Sequence, residues 1–258
     1  MKMTRLQSQA CRLAAPAFFG WILLIAGTTL AKAAAPFEDT MAQRTLACTA
    51  CHGPQGRAAP DGYYPRLAGK PAGYLYNQLL NFREGRRHYG LMTQLIDPLS
   101  NAYLLEIAQY FSNLDTPYPP PLSSQAPTAV LRLGQRLVMQ GDASRQLPAC
   151  VQCHGQAMTG VAPNIPGLLG LPRDYLNAQL GAWKAGQRSA HPPDCMNTIV
   201  ARLSLDEINA VASWIAAQPL PANTHPATAP AAWSPGTEVV QCGSGLAPPR
   251  LHGSKAQQ

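Results

Sequence analysis

The feature that most constrains this chain is an internal repeat. Residues 65–79, PRLAGKPAGYLYNQL, align with residues 166–180, PGLLGLPRDYLNAQL, at a constant offset of 101 positions. A Cys-x-x-Cys-His motif precedes each copy, as Cys48–His52 in the first repeat and as Cys150–His154 in the second. Self-similarity at a fixed offset indicates duplication of one structural unit. We therefore expect the 258 residues to fold as two related units of roughly a hundred residues each.

Cys-x-x-Cys-His is the attachment motif of c-type haem. Two thiols separated by two residues lie on one helical turn, where each forms a thioether with a haem vinyl group, and the next histidine reaches the iron. The alternatives are a redox dithiol, a disulfide or half of a zinc site. Two copies without a βαβ pattern favour two covalently bound haem c groups. The predicted attachment residues are Cys48, Cys51, Cys150 and Cys153, and the predicted proximal iron ligands are His52 and His154.

Apolar residues recur at helical spacing in both repeats. Residues 74–82 and 175–183 each have one apolar face, and so do residues 104–111 and 208–215 further along. Ser204–Glu207 has the form of a capping box at the start of the last of these segments. No convincing run of alternating strand residues is present. The predicted fold class is therefore all-α.

The order of the motifs resembles that of the dihaem cytochrome c4 family. Cys-x-x-Cys-His, Pro-x-Leu-x-Gly, Tyr-Leu-x-x-Gln-Leu, Gly-x-Arg, Met and a closing helix follow one another twice between residues 40 and 217. The resemblance implies two tandem class I cytochrome c-like helical domains that transfer electrons. It also implies that Pro65 and Pro166 shape the backbone beside the proximal histidines.

The same resemblance implies methionine as the distal iron ligand. By position these ligands are Met92 and Met196, which we expect in loop-like segments before the closing helices. Core packing, the commoner role of methionine, is one alternative. Ligation by His88 and His191, a few residues earlier, is another and would give bis-histidine sites.

Methionine ligation has a functional consequence. An axial thioether raises the reduction potential, and a six-coordinate iron leaves no position open to substrate. We therefore expect a carrier of single electrons between periplasmic respiratory proteins, such as a quinol-oxidising complex and a terminal oxidase, and not an enzyme. One alternative is a cytochrome subunit of a larger periplasmic dehydrogenase or oxidase complex. The other is a haem enzyme, a peroxidase or sulfur-compound oxidoreductase, in which one iron lacks its sixth ligand or is bound by another residue, such as Cys195 beside Met196.

The N-terminal residues have the composition of an export signal. Lys2, Arg5 and Arg12 precede the apolar stretch 13–30, and Ala31–Ala33 fits a signal-peptidase site. An uncleaved anchor, and with it membrane association, is the alternative, because the apolar stretch approaches the length that crosses a bilayer. Export predicts a periplasmic location. Without residues 1–35, Lys and Arg fall from 20 to 16 against 13 Asp and Glu, and no basic stripe remains to bind nucleic acid.

Proline marks the expected boundaries. The linker is predicted to be extended and semi-rigid, and the C-terminal extension mostly irregular. The predicted organisation is a signal peptide (1–35), a first haem c domain (36–115), a proline-rich linker (116–127), a second haem c domain (128–218) and a Pro/Ala-rich extension (219–258).

Five further residues carry expectations of their own. Cys195 and Cys242 form an intramolecular disulfide, form an intermolecular one, or stay free in an oxidising compartment. Arg87 and Arg188 occupy the matched Gly-x-Arg positions, where they either pair with haem propionates or stay solvated. Met158 is expected to pack in the core.

Overall fold

The first repeat forms helices where its sequence is periodic. In a computed structural model, residues 38–58, 62–121, 124–231 and 240–245 are described; the predicted signal peptide, residues 1–35, lies outside them. Ser100 caps the start of the closing helix of the first repeat, because its hydroxyl accepts a hydrogen bond from the Tyr103 N–H. Its described helices are α1 (Met41–Arg44), α2 (Leu46–His52), α3 (Ala72–Arg83), α4 (Gly90–Ile96) and α5 (Asn101–Ser112).

The second repeat has the same order of elements. Its closing helix begins with the predicted capping box, since Ser204 Oγ accepts from the Glu207 N–H at 3.2 Å and Glu207 accepts from the Ser204 N–H at 2.9 Å. The described helices are α6 (Thr128–Met139), α7 (Cys150–His154), α8 (Arg173–Lys184), α9 (Cys195–Ala201) and α10 (Leu205–Ala216).

Apart from isolated bridges, extended structure in the described residues consists of a short hairpin that the sequence pattern did not predict. β1 (Gly160–Val161) and β2 (Ile165–Pro166) pair antiparallel. Ala227 of the C-terminal extension joins this hairpin, because its N–H donates to Gly160 O and its carbonyl accepts from the Ala162 N–H, both at 2.9 Å. Part of the extension is thus paired to the second repeat and not irregular throughout. The fold class is all-α, as predicted.

Each repeat has its own hydrophobic core. In the first, α3 packs on α5, and in the second α10 packs on α6 and α8. Met158 is buried in the second core, which confirms the expectation for it. The buried side chains include Leu75, Phe82, Leu104, Ile107 and Phe111 in the first core and Leu137, Val138, Leu176, Ile208, Val211 and Ile215 in the second.

The linker is bound to both repeats. The Arg66 guanidinium of the first repeat donates to Pro117 O at 3.0 Å and to Thr116 Oγ1 at 2.7 Å, and it stacks on the Tyr118 ring at 3.8 Å. The same ring lies against Gly170 of the second repeat, where an added Cβ would be 2.5 Å from it. The linker therefore fixes one repeat against the other.

No helix within the described ranges combines the length and the apolar character that crossing a bilayer requires.

Candidate haem sites

The two histidines of the Cys-x-x-Cys-His motifs are buried and oriented in the same way. His52 and His154 end the short helices α2 and α7 and are 6% and 8% exposed. Each Nδ1 lies 2.8 Å from a proline carbonyl oxygen, Pro65 O for His52 and Pro166 O for His154. A carbonyl only accepts, so Nδ1 carries the proton and Nε2 keeps a lone pair for iron. The two prolines thus shape the backbone beside the histidines, as the resemblance implied.

A glycine with a positive φ angle follows each motif helix. Gly53 has φ +76° and Gly155 has φ +84°, a region that L side chains rarely adopt. This turn directs the chain away from the helix so that it returns with the proline carbonyl beside the imidazole.

Burial keeps both imidazoles neutral. Removal from water lowers the pKa of His52, and the charge of Arg87 lowers it further. For His154 burial again lowers the pKa, and the charge of Lys70 adds to the effect. A neutral imidazole is the form that binds a metal.

A single large cavity of about 1540 Å³ is lined by described residues of both repeats and is mostly apolar. Small-molecule sites reach about 1,000 Å³, so this space suits more than one group of that size. Cys51 does not line it and is exposed. The predicted site residues on the cavity wall are Cys48, His52, Met92, Cys150, Cys153, His154 and Met196. Its shape, its apolar wall and the free Nε2 atoms fit two haem groups.

Both candidate distal methionines lie in short helices, so the expectation of loop-like segments is wrong. Met92 belongs to α4 and Met196 to α9, and each is half-buried against its own core. Asp194 caps α9 by accepting from the Asn197 N–H at 3.0 Å. Seven residues are too few for helical periodicity to be recognised in a sequence, although an Asp before such a segment is a usable signal.

The alternative ligands are placed less favourably. His191 does not line the cavity, and its Nε2 accepts a hydrogen bond from Arg86 at 2.9 Å. His88 lines the cavity but is exposed. Cys195 forms an intramolecular disulfide with Cys242, so it offers no thiolate to an iron. Of the alternatives for these two cysteines, the structure contains the intramolecular bridge.

Arg87 and Arg188 meet where the two repeats touch, so neither is a solvated surface arginine. Their backbones form an antiparallel bridge. Arg87 donates to Gln78 Oε1 at 3.1 Å and Gln179 Oε1 at 2.8 Å, and Arg188 donates to the same two oxygens at 2.8 and 2.7 Å. Each repeat therefore supplies one arginine and one glutamine to a reciprocal network. The sequence showed these glutamines only as part of the repeated Tyr-Leu-x-x-Gln-Leu motif.

The arginine pair has an excess of positive charge. Arg188 is 5% exposed, stacks on the Trp183 ring at 3.8 Å, and has a buried Nε without a hydrogen-bond partner among the described residues. Burial and then the charge of Arg87 lower the pKa of Arg188 to about 10. Within the part of the chain that the structure describes, neither arginine forms a salt bridge with a carboxylate. Both line the cavity, where haem propionates would supply the missing negative charge.

The chain is similar to known proteins in sequence and in structure. A family model for cytochrome c matches residues 31–102. The thiosulfate dehydrogenase electron acceptor of Thiomonas intermedia is 41% identical over 189 residues, which are 73% of this chain and 83% of that protein. Cytochrome c4 of Pseudomonas aeruginosa is 32% identical over 197 residues, 75% of this chain and 94% of that protein.

Two solved structures are similar in fold. The reduced cytochrome c4 of Pseudomonas stutzeri aligns with a TM-score of 0.58 and 30% identity, covering 69% of this chain and 96% of that one. A thiosulfate dehydrogenase of Marichromatium purpuratum aligns with a TM-score of 0.58 and 34% identity over 67% of this chain. The alignment spans only 36% of that longer chain.

Proposed function

Since the chain belongs to the cytochrome c4 family and is an electron carrier with two covalently bound haem c groups, we propose that it accepts electrons from a dehydrogenase that oxidises a small sulfur compound such as thiosulfate. The observation that carries this proposal is the 41% identity to a thiosulfate dehydrogenase electron acceptor. A second such acceptor, from Stutzerimonas stutzeri, is 37% identical over 171 residues. The exchange takes place in the periplasm, to which the N-terminal export signal directs the chain.

The proposed iron and haem ligands are those of the sequence motifs. Nε2 of each buried histidine and the sulfur of one methionine would bind each iron, and all four of these side chains line the shared cavity. Cys48 and Cys51 hold the first haem with His52 and Met92 as ligands, and Cys150 and Cys153 hold the second with His154 and Met196.

Bound haem supplies a one-electron Fe(III)/Fe(II) couple, and the protein sets its surroundings. Proline carbonyls fix the tautomer and orientation of His52 and His154. Apolar side chains exclude water from the cavity. Arg87 and Arg188 offset the negative charge of the propionates. With one histidine and one methionine bound to each iron, no coordination position would be left for a substrate, so the protein would store and pass electrons without transforming a molecule itself.

Two haems suit a dehydrogenase as donor. A dehydrogenase removes electrons in pairs, and the two sites take one each. The Arg87 and Arg188 network and the bound linker hold the two sites at one separation, which favours exchange between them. The partner contact of a freely diffusing carrier is small and short-lived.

A stable subunit of a dehydrogenase complex is the second candidate. It is favoured by the Marichromatium thiosulfate dehydrogenase, in which the matching region is part of a longer chain. Co-purification separates the two candidates. A carrier elutes alone at physiological salt, whereas a subunit elutes with a stoichiometric dehydrogenase.

Anaerobic reduction tests the proposed donor. The purified oxidised protein, with two haems by pyridine haemochrome assay, is mixed with thiosulfate and a thiosulfate dehydrogenase. We expect both haems to become reduced only when enzyme and thiosulfate are present together. Reduction by a quinol-oxidising complex but not by the dehydrogenase would contradict the proposed donor and leave electron transfer itself intact.

A further inference from the structure

One buried lysine of the shared cavity is not among the proposed haem and iron ligands. Lys70 belongs to the first repeat, is 3% exposed and lines the shared cavity. Its Nζ donates to Gly167 O of the second repeat at 2.6 Å. Among the described residues, no carboxylate forms a salt bridge with it. A buried cation with only a carbonyl partner is costly, so it needs a reason.

The contact of Lys70 places its charge beside the second site. Gly167 follows Pro166, whose carbonyl accepts from His154 Nδ1 at 2.8 Å. The ammonium therefore lies one residue away from the group that orients the proximal imidazole.

The first site has no matching lysine. At the offset of 101 the residue that corresponds to Lys70 is Leu171, which is apolar and buried. Arg87 and Arg188, in contrast, occupy matched positions and contact both repeats reciprocally. Arg86 also bonds the second repeat, through His191, but it is paired with Glu84. Of the described cations of the first repeat that bond the second, Lys70 is the buried one without a carboxylate partner, and it lies beside the second site.

We propose that the charge of Lys70 acts across the contact between the repeats and selectively raises the reduction potential of the second haem. Reduction removes one positive charge from the iron, so a nearby buried cation favours the reduced form. The effect persists because a buried charge is screened less than one in water. Transfer of an electron from the first haem to the second becomes more favourable. This inference rests on haem attachment at Cys150 and Cys153.

Spectroelectrochemical titration of three variants tests the proposal. Lys70→Met removes the charge and keeps the length of the side chain, and Lys70→Arg keeps the charge. Lys184→Met is the matched control, since Lys184 is an exposed lysine on α8 of the second repeat that also bonds backbone carbonyls, Ala201 O and Leu203 O. The titrations are run at about pH 6, where Lys70, with a pKa of about 7, is mostly charged.

In Lys70→Met we expect one haem to become at least about tenfold harder to reduce, which is about 59 mV for one electron, while the other is unchanged. Paramagnetic NMR signals of each axial methionine identify the haem that shifts, and it should be the second. Lys70→Arg and Lys184→Met should retain both potentials. Unchanged potentials in a Lys70→Met protein with two haems, or equal shifts of both haems, would overturn the proposal. Fewer than two haems in the wild type would instead contradict the proposed function.

A pH series keeps the proposal testable if Lys70→Met does not fold. The charged or titratable groups near Lys70 are Arg66 on its own segment and His154 on α7, whereas the segment 165–171 that it bonds carries none. As the pH rises through about 7, the second potential of the wild type should fall. In Lys70→Arg, which stays charged, this component should be absent. The same pH dependence in both proteins would overturn the proposal.

Discussion

Two glutamines accept hydrogen bonds from the paired arginines, and loss of one of them should lower the stability of the protein. Gln179 Oε1 accepts from Arg87 at 2.8 Å and from Arg188 at 2.7 Å. We expect Gln179→Leu to lower the free energy of unfolding by about 1–3 kcal/mol, because it leaves buried N–H groups without an acceptor. Urea unfolding measures the change. The control Gln135→Leu, on the exposed side of α6, should change stability by less than about 0.5 kcal/mol. Equal effects of the two would show that the network adds no stability.

Burial of Lys70 should also make the stability of the protein depend on pH. Burial lowers the pKa of Lys70 from 10.5 to about 7. The folded protein releases this proton near pH 7, whereas the unfolded chain keeps it up to about pH 10.5. Between these values the unfolded state binds more protons, so this contribution to stability rises with pH, and the cost of burying the charge is fully present below pH 7.

Urea unfolding of the wild type and of Lys70→Met across this pH range measures that contribution. We expect a shallower rise of stability in the variant, since a methionine side chain has no proton to release. Identical slopes in the two proteins would show that Lys70 stays charged when folded.

Whether the role of a residue could be predicted from the sequence depends on how far along the chain its partners lie. Cys48–His52 and Cys150–His154 could be proposed as haem sites because attachment and ligation are encoded within five consecutive residues. Lys70 is different, because its hydrogen-bond partner Gly167 is 97 residues away. A lysine where the other repeat has leucine looks like an ordinary surface substitution until the repeats are placed in contact.

Among the elements, four long helices were predicted from their periodicity, whereas the short helices α4 and α9 could not be, and α6, also 12 residues long, was not recognised in the sequence. α3, α5, α8 and α10 are each 12 residues long, which is enough for apolar positions to repeat over three turns. The seven-residue helices α4 and α9 do not reach that length. The strands β1 and β2 pair with each other, but two residues each are too few for alternation to be recognised. Their further partner Ala227 is distant in the sequence.

The disulfide holds a described piece of the C-terminal extension against the second repeat. Cys242 bonds Cys195 across 47 residues, Gly243 N–H donates to Pro193 O at 2.8 Å, and Ser244 O accepts from Asn77 at 3.2 Å. We expect Cys242→Ser to lower the free energy of unfolding by about 2–4 kcal/mol, as opening a loop of this length does. Urea unfolding gives the change, and intact mass with and without reductant verifies the bridge in the wild type.

Reductant serves as the control for that variant. With the haems of every sample already reduced by ascorbate, which does not cleave disulfides, it should destabilise the wild type to the level of Cys242→Ser and leave the variant unchanged. A wild type with two free thiols, or equal stability of the two proteins under oxidising conditions, would contradict the prediction.

For the molecule as a whole, a close backbone approach joins the repeats. Gly73 at the start of α3 packs against the second repeat so tightly that an added Cβ would lie 2.8 Å from Pro163 O. The Tyr74 N–H donates to that oxygen at 3.2 Å. We expect Gly73→Ala to loosen the contact between the repeats, so that thermal unfolding changes from one transition to two.

Gly181→Ala is the matched control. This glycine also lies in a helix, α8, and nothing is within 4 Å of an added Cβ. Alanine there should stabilise the protein by about 0.5–1 kcal/mol through helix propensity and preserve one transition. Differential scanning calorimetry distinguishes the outcomes, and a single transition in Gly73→Ala would show that the repeats do not depend on this approach.

The reciprocal arrangement of Arg87, Gln78, Arg188 and Gln179 has the form of a closed two-fold dimer, in which each partner offers the other the same surface. Two separate chains with such a surface would part on dilution, and the pair of electron sites would exist only in the associated fraction. Fusion into one polypeptide makes the contact intramolecular. The spacing of the two sites is thereby independent of how much of the protein a cell makes.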